Sequence, residues 1–318
     1  MADIPFTLDQ LRVLKAIVQE KSFKKAAESL YISQPAVSFQ IQNLERSLDT
    51  ALFYRHRRKA QLTDAGKLLC EYAIKILSVC EESYKSIKDL ENLKVGNLAI
   101  GASQTIGTYM MPTLIGKFRQ AYPNVSVRLE VHPTRRAAWE VAKGSLDLAI
   151  TGGEIPNELE EILDVQTFTG DELALILPKT HPLAKKDCIK QNELYELKFL
   201  TLAKDSSYRR VLNNILEEHM IDSTKLTIEM ELGSIEAIKN AVESGLGAAF
   251  VSVSAIQKEL KLDTLKQVKV ENLIIKRNLS IIVNNERYRS KATEVFMSEV
   301  LYPQKVEFEK LKEKNLKI

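Results

Sequence analysis

Residues 23–48 read FKKAAESLYISQPAVSFQIQNLERSL, and this pattern predicts two helices joined by a tight turn. In the first helix Ala26, Ala27 and Leu30 recur at helical spacing and form one apolar face. Ser33 is suited to cap the second helix, and Pro35 lies in its first turn, where a missing N–H costs no hydrogen bond. The apolar face of the second helix comprises Val37, Ile41, Leu44 and Leu48.

The two alanines would let the helices cross closely, with Ile32 expected as a buried plug between them. A helix-turn-helix needs such a crossing so that its second helix can enter a DNA major groove. Near the start of that helix, Gln34, Ser38 and Gln42 point outward and can hydrogen-bond to base edges. The alternative interpretation is a plain helical hairpin within an all-α domain.

Length and charge place this motif in a larger protein. The chain has 318 residues, enough for two or three domains, and a net charge of +3. Residues 1–62 contain ten Lys or Arg and six Asp or Glu, so the basic surplus lies with the helical motif. No apolar run reaches the length of a membrane span, so no membrane partner is expected. Three cysteines without a CxxC and a start without a secretion or transit signal predict a reducing compartment.

The flanking segments complete an N-terminal domain over residues 1–63. A first helix is expected from Thr7 to Glu20, with Thr7 as its cap. Residues 52–63, LFYRHRRKAQLT, read as a β-hairpin wing with a basic tip for phosphate contacts, or as a solvated surface loop. Residues 64–95 predict a long linker helix, whose apolar stripe indicates pairing with a second copy of the chain. The alternative is packing onto its own domain.

From residue 96 onward, strands and helices alternate. The pattern gives two βαβ sets, separated by loops near 152–171 and 253–277, and predicts two parallel-sheet lobes with a cleft between them. The expected bounds are 96–165 with 270–302 for lobe I, 166–269 for lobe II, and 303–318 for a charged tail. The predicted strands are 97–101, 125–132, 147–151, 172–178, 198–202, 226–232, 248–252 and 278–283, and the helices are 106–121, 135–143, 207–219, 234–244 and 288–301.

These motifs resemble those of the LysR-type transcriptional regulators. The resemblance rests on AAESLYISQPAVSFQIQNLE at 26–45, LF-x-R at 52–55 and LTDAG at 62–66. It implies an N-terminal all-α winged helix-turn-helix, a linker helix, and a C-terminal α/β effector domain of the two-lobed, periplasmic-binding-protein-like fold. The segments 101–112, 132–139, 172–182 and 231–256 are similar to the branch of that family which activates the RuBisCO operon in cyanobacteria and algal plastids.

The resemblance implies particular site residues. DNA contacts carry over to Gln34, Pro35, Ser38 and Arg55. Two departures from the family pattern, Phe39 and Asp49, leave the DNA-binding fold intact but leave the exact base preference open. Phe39 cannot donate to guanine, although it could touch a thymine methyl. With the cap, the polar helix face and the basic tip, the DNA-binding set is Ser33, Gln34, Pro35, Ser38, Phe39, Gln42, Arg55 and Arg57.

Effector contacts carry over to Ser103 and Thr134. Ser103, Gln104 and Thr105 precede a predicted helix N-terminus, which favours anions. Arg135 lies beside Thr134 and suits a phosphate or carboxylate, with a solvated helix start as the alternative. The effector-binding set is Ser103, Gln104, Thr105, Thr134, Arg135, Thr201 and Ser252.

The implied function is a regulator that binds promoter DNA as a homodimer or homotetramer and works with RNA polymerase. Its co-inducer would be a small anionic metabolite, with a phosphorylated carbon-fixation metabolite and NADPH as candidates, and its compartment the chloroplast stroma or a cyanobacterial cytoplasm. No catalytic residue, metal site or bound cofactor is predicted. The alternatives are a repressor or activator of carbon or nitrogen uptake genes, a solute-binding protein, an enzyme, and a redox sensor using Cys70 and Cys80.

Overall fold

The computed structural model describes residues 4–54, 60–89, 96–204 and 206–303 of the chain. The chain divides into two compact units, Met1–Lys88 and Asp89–Ile318. No helix among these residues is long and apolar enough to cross a membrane.

Unit 1 begins with three helices, each started by a hydroxyl cap. They are α1 (Leu8–Glu20), α2 (Phe23–Ser29) and α3 (Gln34–Ser47). Thr7 caps α1 in a capping box with Gln10, and Ser33 Oγ accepts the Ala36 N–H at 3.3 Å to cap α3. The helix-turn-helix and its caps are therefore confirmed.

The alanines allow the predicted close crossing. Ala26 and Ala27 are buried with Val37 and Leu44 in one apolar core. Ile32 does not plug this core: it is 41% exposed, so that expectation is wrong. The Ile32 N–H already bonds the Ala27 carbonyl, which ties the turn to α2 without burying the Ile32 side chain.

A short hairpin base and a long helix complete unit 1. Phe53 and Leu62 form an antiparallel bridge, which confirms the base of the wing. The basic tip, residues 55–59, lies outside the described residues. Helix α4 spans Asp64–Asp89, and the predicted remainder of the linker helix, residues 90–95, also lies outside them. Its apolar side chains divide into two groups: Cys70, Ala73 and Leu77 join the core, whereas Leu68, Tyr72, Val79, Tyr84 and Ile87 are exposed.

Unit 2 contains ten strands and six α-helices among the described residues. The strands are β1 (Gly96–Ala102), β2 (Val125–Val131), β3 (Leu148–Thr151), β4 (Leu163–Pro178), β5 (Cys188–Ile189), β6 (Lys198–Thr201), β7 (Thr227–Glu231), β8 (Ala249–Ser252), β9 (Leu265–Val270) and β10 (Ile275–Asn284). The helices are α5 (Met111–Ala121), α6 (Thr134–Lys143), α7 (Ser207–Glu218), α8 (Ile235–Glu243), α9 (Gln257–Leu262) and α10 (Lys291–Val295). π-helical turns, Ile106–Met110 and Phe296–Leu301, adjoin α5 and α10.

Two hydrophobic cores show the two lobes. The core of lobe I joins β1, β3 and the end of β10 to α5 and α10. The core of lobe II joins the second half of β4 and strands β6, β8 and β9 to α7 and α8. Strands β4 and β10 run through both lobes, since Phe168 and Leu279 belong to the first core and Leu173 and Ile275 to the second.

The sheets differ from the predicted pair of parallel sheets. The strand order is β2-β1-β3-β10-β4-β9-β5, with β8 also on β4, and β10 and β4 are antiparallel to their neighbours β3, β8 and β9. In lobe I, β1 pairs in parallel with both β2 and β3, as predicted. The pair β5–β9 and a second, two-stranded sheet, β6–β7, are also parallel. The expected loops at 152–171 and 253–277 are wrong as well, because they contain the start of β4, all of α9 and β9, and the start of β10.

Candidate nucleic-acid interface and effector cleft

A concave surface in unit 1 lies between α2, α3 and the base of the wing. Gln34, Ser38 and Gln42 line it together, at successive turns of α3. Because these positions are four residues apart, their side chains share one helix face, beside the face that buries Val37 and Leu44. The predicted polar recognition face is therefore one continuous surface.

The remaining predicted DNA contacts lie beside this surface or outside the described residues. Ser33 and Pro35 are exposed at the start of α3. Phe39 is 59% exposed and does not line the concave surface, so its ring is free to meet a partner at the margin. Arg55 and Arg57 lie in the part of the wing that the structure does not describe.

Three basic residues that sequence reasoning did not single out also line the surface. They are Lys21 at the end of α1, Lys24 in α2 and Arg46 near the end of α3. Two acidic residues, Glu45 and Asp49, line the surface as well. Ammonium and guanidinium groups around a polar groove suit the two phosphate backbones that flank a major groove. Their charge was visible in the sequence, but their convergence depends on how three helices pack.

One carboxylate joins the recognition helix to the wing. Glu45 Oε1 accepts the backbone N–H groups of Leu52 and Phe53 at 2.7 Å and 3.1 Å. The Phe53 ring packs edge-on against Phe23, with centroids 5.2 Å apart. These contacts fix the base of the wing relative to α3, because the Glu45 side chain of α3 satisfies two backbone N–H groups of the wing.

A second candidate site lies between the lobes of unit 2, in a cavity of about 380 Å³. Lobe I contributes Ser103, Gln104 and Thr105, after β1, and Thr134, at the start of α6. Lobe II contributes Ser206 and Ser207, at the start of α7, together with Tyr208, Leu232 and Gly233. Four of the predicted effector residues therefore share one cavity.

Hydrogen bonds join the two lobes across this cavity. Thr134 Oγ1 lies 3.2 Å from Ser207 Oγ. The Gln104 side chain accepts the Ile235 N–H and donates to the Gly233 carbonyl, both at 3.3 Å. Since each contact joins residues more than seventy positions apart, lobe closure rather than local sequence creates the site.

The electrostatics of the cavity favour an anion. Helices α6 and α7 both begin at its wall, and the start of α6 has no side-chain cap. Their N-terminal N–H groups carry partial positive charge. Of the described residues that line the cavity, Arg277 is a cation and none is an aspartate or glutamate. Burial and the nearby Arg136 lower the pKa of His132 below its ordinary value, and its Nε2 lies 2.7 Å from Glu130 Oε2.

Three predicted effector residues do not line this cavity. Arg135 is exposed and pairs with Glu158 at 3.5 Å. Thr201 is buried beside a much smaller cavity in lobe II. Ser252 is also buried, and its hydroxyl donates to Asp171 Oδ1 at 2.5 Å.

Arg277, Gly152 and Gly153 were not predicted from the sequence. A Cβ on Gly152 would lie 3.2 Å from Arg277 Nη1, and one on Gly153 would lie 2.7 Å from Ser207 Cβ. Glycine is thus needed where the chain after β3 meets the cavity wall. The consecutive glycines at 152 and 153 were the available sequence signal for a close contact at this point, but such a pair also occurs in ordinary loops.

One unit of the chain has a helix-turn-helix, and the other has two lobes with a cavity between them. This combination defines the class of ligand-responsive DNA-binding proteins. The "Bacterial regulatory helix-turn-helix protein, lysR family" model matches residues 8–67, and the "LysR substrate binding domain" model matches residues 91–302. The chain belongs to the LysR family of transcriptional regulators. This membership sets the enzyme alternative aside, because the family consists of DNA-binding regulators.

Relatives of similar length carry a more specific name. The chain is 60% identical over 301 residues to the "Probable RuBisCO transcriptional regulator" of Porphyra purpurea, covering 95% of both chains. It is 58% identical over 301 residues to the protein of the same name in Synechocystis sp., covering 95% of this chain and 87% of the other.

Two solved structures bear on the two sites. Full-length CbnR complexed with its target DNA is similar with a TM-score of 0.69 and 19% identity, covering 93% of this chain and 99% of that chain. At that identity the likeness shows the fold alone. The regulatory domain of Synechocystis PCC6803 CcmR in complex with 2-PG is similar with a TM-score of 0.58 and 29% identity, covering 65% of this chain and 96% of that chain.

Proposed function

We propose that this regulator binds promoter DNA of RuBisCO genes through α3 and activates them in response to a small anionic metabolite held between its lobes. The observation that carries the DNA half is the single polar face formed by Gln34, Ser38 and Gln42, bordered by basic side chains. The target genes follow from the name shared by relatives at 58–60% identity.

The effector half rests on the inter-lobe cavity. Ser103, Gln104, Thr105 and Thr134 offer hydroxyl and amide groups at its lobe I wall, and Ser206 and Ser207 face them. A ligand that contacts both walls stabilises the closed arrangement by its differential affinity for it. CcmR, with 29% identity, supports a compact phosphorylated acid as the first ligand to test, since its regulatory domain is in complex with 2-PG.

Assembly and domain organisation belong to the same proposal. The exposed apolar side chains of α4, among them Leu68, Tyr72 and Val79, suit pairing with the same helix of a second copy. We assign residues 1–63 to DNA binding, 64–95 to dimerisation, 96–302 to effector binding and 303–318 to a charged tail. A homodimer or homotetramer would engage RNA polymerase in the plastid stroma or a cyanobacterial cytoplasm.

Footprinting and calorimetry test both halves. The full chain should protect a promoter fragment upstream of RuBisCO genes, and 2-PG should change the pattern of protection. Ser103→Ala and Thr134→Ala should weaken 2-PG binding by roughly tenfold each, for one lost hydrogen bond. A control, Ser298→Ala, removes a hydroxyl that bonds only its own helix. No protection of the fragment would refute the DNA half, and a footprint unmoved by 2-PG and by 3-phosphoglycerate would refute the effector half.

A further inference from the structure

Arg277 and Asp171 form a buried pair where the two lobes meet. They are direct partners in the β10–β4 register, at the point where both strands pass between the lobes. Their side chains are 5% and 6% exposed. Arg277 Nε donates to Asp171 Oδ2 at 2.8 Å, and Ser252 donates to Oδ1 at 2.5 Å, so both carboxylate oxygens are engaged.

This pairing uses only one edge of the guanidinium group. Nη2 lies 2.7 Å from the same Oδ2, an ion-pair contact without hydrogen-bond alignment. Among the described residues, the fully buried Nη2 has no hydrogen-bond partner. Its burial and its contact with Asp171 keep Nη2 within the ion pair. Guanidinium carries five N–H donors in a planar fork, so Nη1 still has two donors to offer to a ligand.

Nη1 lies at the wall of the inter-lobe cavity. Arg277 lines the cavity, and Gly152 allows the approach, since a Cβ there would lie 3.2 Å from Nη1. The guanidinium carbon lies 5.0 Å from the centroid of the Tyr208 ring, which packs against it and restricts its orientation. The hydroxyl of Tyr208 is itself held by the Phe250 carbonyl at 2.6 Å, so the ring is fixed.

We propose that Arg277 is the anion-binding residue of the cleft, and that its Nη1 donates to an oxygen of a carboxylate or phosphate group of a compact effector. The inference rests on the proposed effector function. Asp171 balances the guanidinium charge within the fold, so the effector adds charge-assisted hydrogen bonds instead of neutralising a bare cation. A cavity of about 380 Å³ is at the small end of ligand sites, which favours a compact acid over a dinucleotide such as NADPH.

Calorimetric titration of the full chain tests this role, with 2-PG, inorganic phosphate and acetate as probes. Arg277→Lys keeps the charge and the pairing with Asp171 but loses the Nη1 donors. It should weaken binding of 2-PG by roughly 10- to 100-fold. Arg119→Lys, on the exposed face of α5, is the matched control and should leave the affinity unchanged. Loss of phosphate binding in Arg277→Lys would assign Nη1 to a phosphate, and loss of acetate binding would assign Nη1 to a carboxylate.

A second variant covers the case in which Arg277→Lys fails to fold. Replacing the pair with apolar side chains, Asp171→Leu with Arg277→Met, avoids an unpaired buried charge. This double variant should fold, retain promoter binding and lose 2-PG binding. If either variant folds and binds 2-PG with an affinity within threefold of the wild type, the proposed role of Arg277 is overturned, but the effector function is not. No binding of any probe by the wild type would overturn the effector function as well.

Discussion

Tyr109, in lobe I, donates a hydrogen bond to Glu236, in lobe II, with 2.6 Å between Oη and Oε1. Burial and the nearby carboxylate raise the pKa of Tyr109 well above its ordinary value, so the phenol remains a donor. Lys239 Nζ lies 4.8 Å from the centroid of the Tyr109 ring and 2.9 Å from Glu236 Oε1. Three side chains thus join the lobes on the α8 side of the cleft.

Removing the phenol hydroxyl should loosen this junction. Tyr109→Phe deletes one hydrogen bond to a carboxylate that is half exposed, so we expect a loss of about 1 kcal/mol in the free energy of unfolding of unit 2. Urea unfolding followed by circular dichroism measures it. Tyr122→Phe, whose hydroxyl bonds Glu299 within lobe I, is the matched control for a bond that does not cross lobes. Ligand affinity should fall in Tyr109→Phe only; equal effects of both variants would contradict a role in closure.

The same junction predicts a pH dependence. Burial alone would raise the pKa of Glu236, but hydrogen bonds from Tyr109 and Lys239 and the Lys239 charge outweigh it and lower the pKa below the ordinary 4.5. A carboxyl whose pKa is lower in the folded state stabilises the fold above 4.5 and loses that contribution as the pH falls through the folded value. The stability difference between the wild type and Glu236→Gln should therefore be present at pH 7 and shrink toward pH 3.5. A difference that stays constant over this range would show that Glu236 is not held as a carboxylate.

The helix-turn-helix could be predicted because its determinants are local. The Ser33 cap, the two small alanines and the four- and three-residue spacing of Val37, Ile41 and Leu44 act within one or two turns. The prediction failed for Ile32, which is exposed, because its burial depends on whether the packed helices leave room for its side chain. Local patterns therefore sufficed for the recognition face formed by Gln34, Ser38 and Gln42.

The inter-lobe cleft could be predicted only in part. Ser103 and Thr134 follow strands that the sequence shows clearly, but residues 163–171, LDVQTFTGD, read as a polar loop. They form a strand because β10, more than a hundred residues later, pairs with them. The burial of Arg277 depends on that long-range pairing, so no local pattern distinguishes it from a surface arginine.

A tight contact at Gly66 predicts a large effect of a small substitution. A Cβ there would overlap the carbonyl oxygen of Leu52, at the junction of α4 and the wing. Gly66→Ala should lower the free energy of unfolding of unit 1 by about 1–3 kcal/mol. Gly116→Ala is the comparison, since nothing lies within 4 Å of its added Cβ in α5, and it should raise stability by about 0.5–1 kcal/mol. Thermal unfolding of both variants measures this contrast, and a neutral Gly66→Ala would show that the Leu52 backbone can move aside.

Glu45 should couple the wing to DNA binding. Glu45→Ala leaves the Leu52 and Phe53 N–H groups without their acceptor, at an expected cost of about 1–3 kcal/mol in stability. Because the wing is then free to move, promoter affinity should fall even though Glu45 is an acid and its removal reduces repulsion from phosphate. Anisotropy titration of a labelled promoter fragment gives the affinity. Tighter binding by Glu45→Ala would mean that its charge outweighs its structural role.

The most direct test of base reading by α3 is the ratio of promoter affinity to scrambled-DNA affinity at fixed salt. The wild-type ratio should be roughly 10³ or more. Gln34→Ala with Ser38→Ala should reduce that ratio by roughly 10- to 100-fold while leaving scrambled-DNA binding nearly unchanged, because phosphate contacts remain. Gln40→Ala, on the same helix but outside the concave surface, should keep the wild-type ratio. A wild type that binds both fragments equally, or a double variant that keeps the full ratio, would contradict sequence reading by this helix.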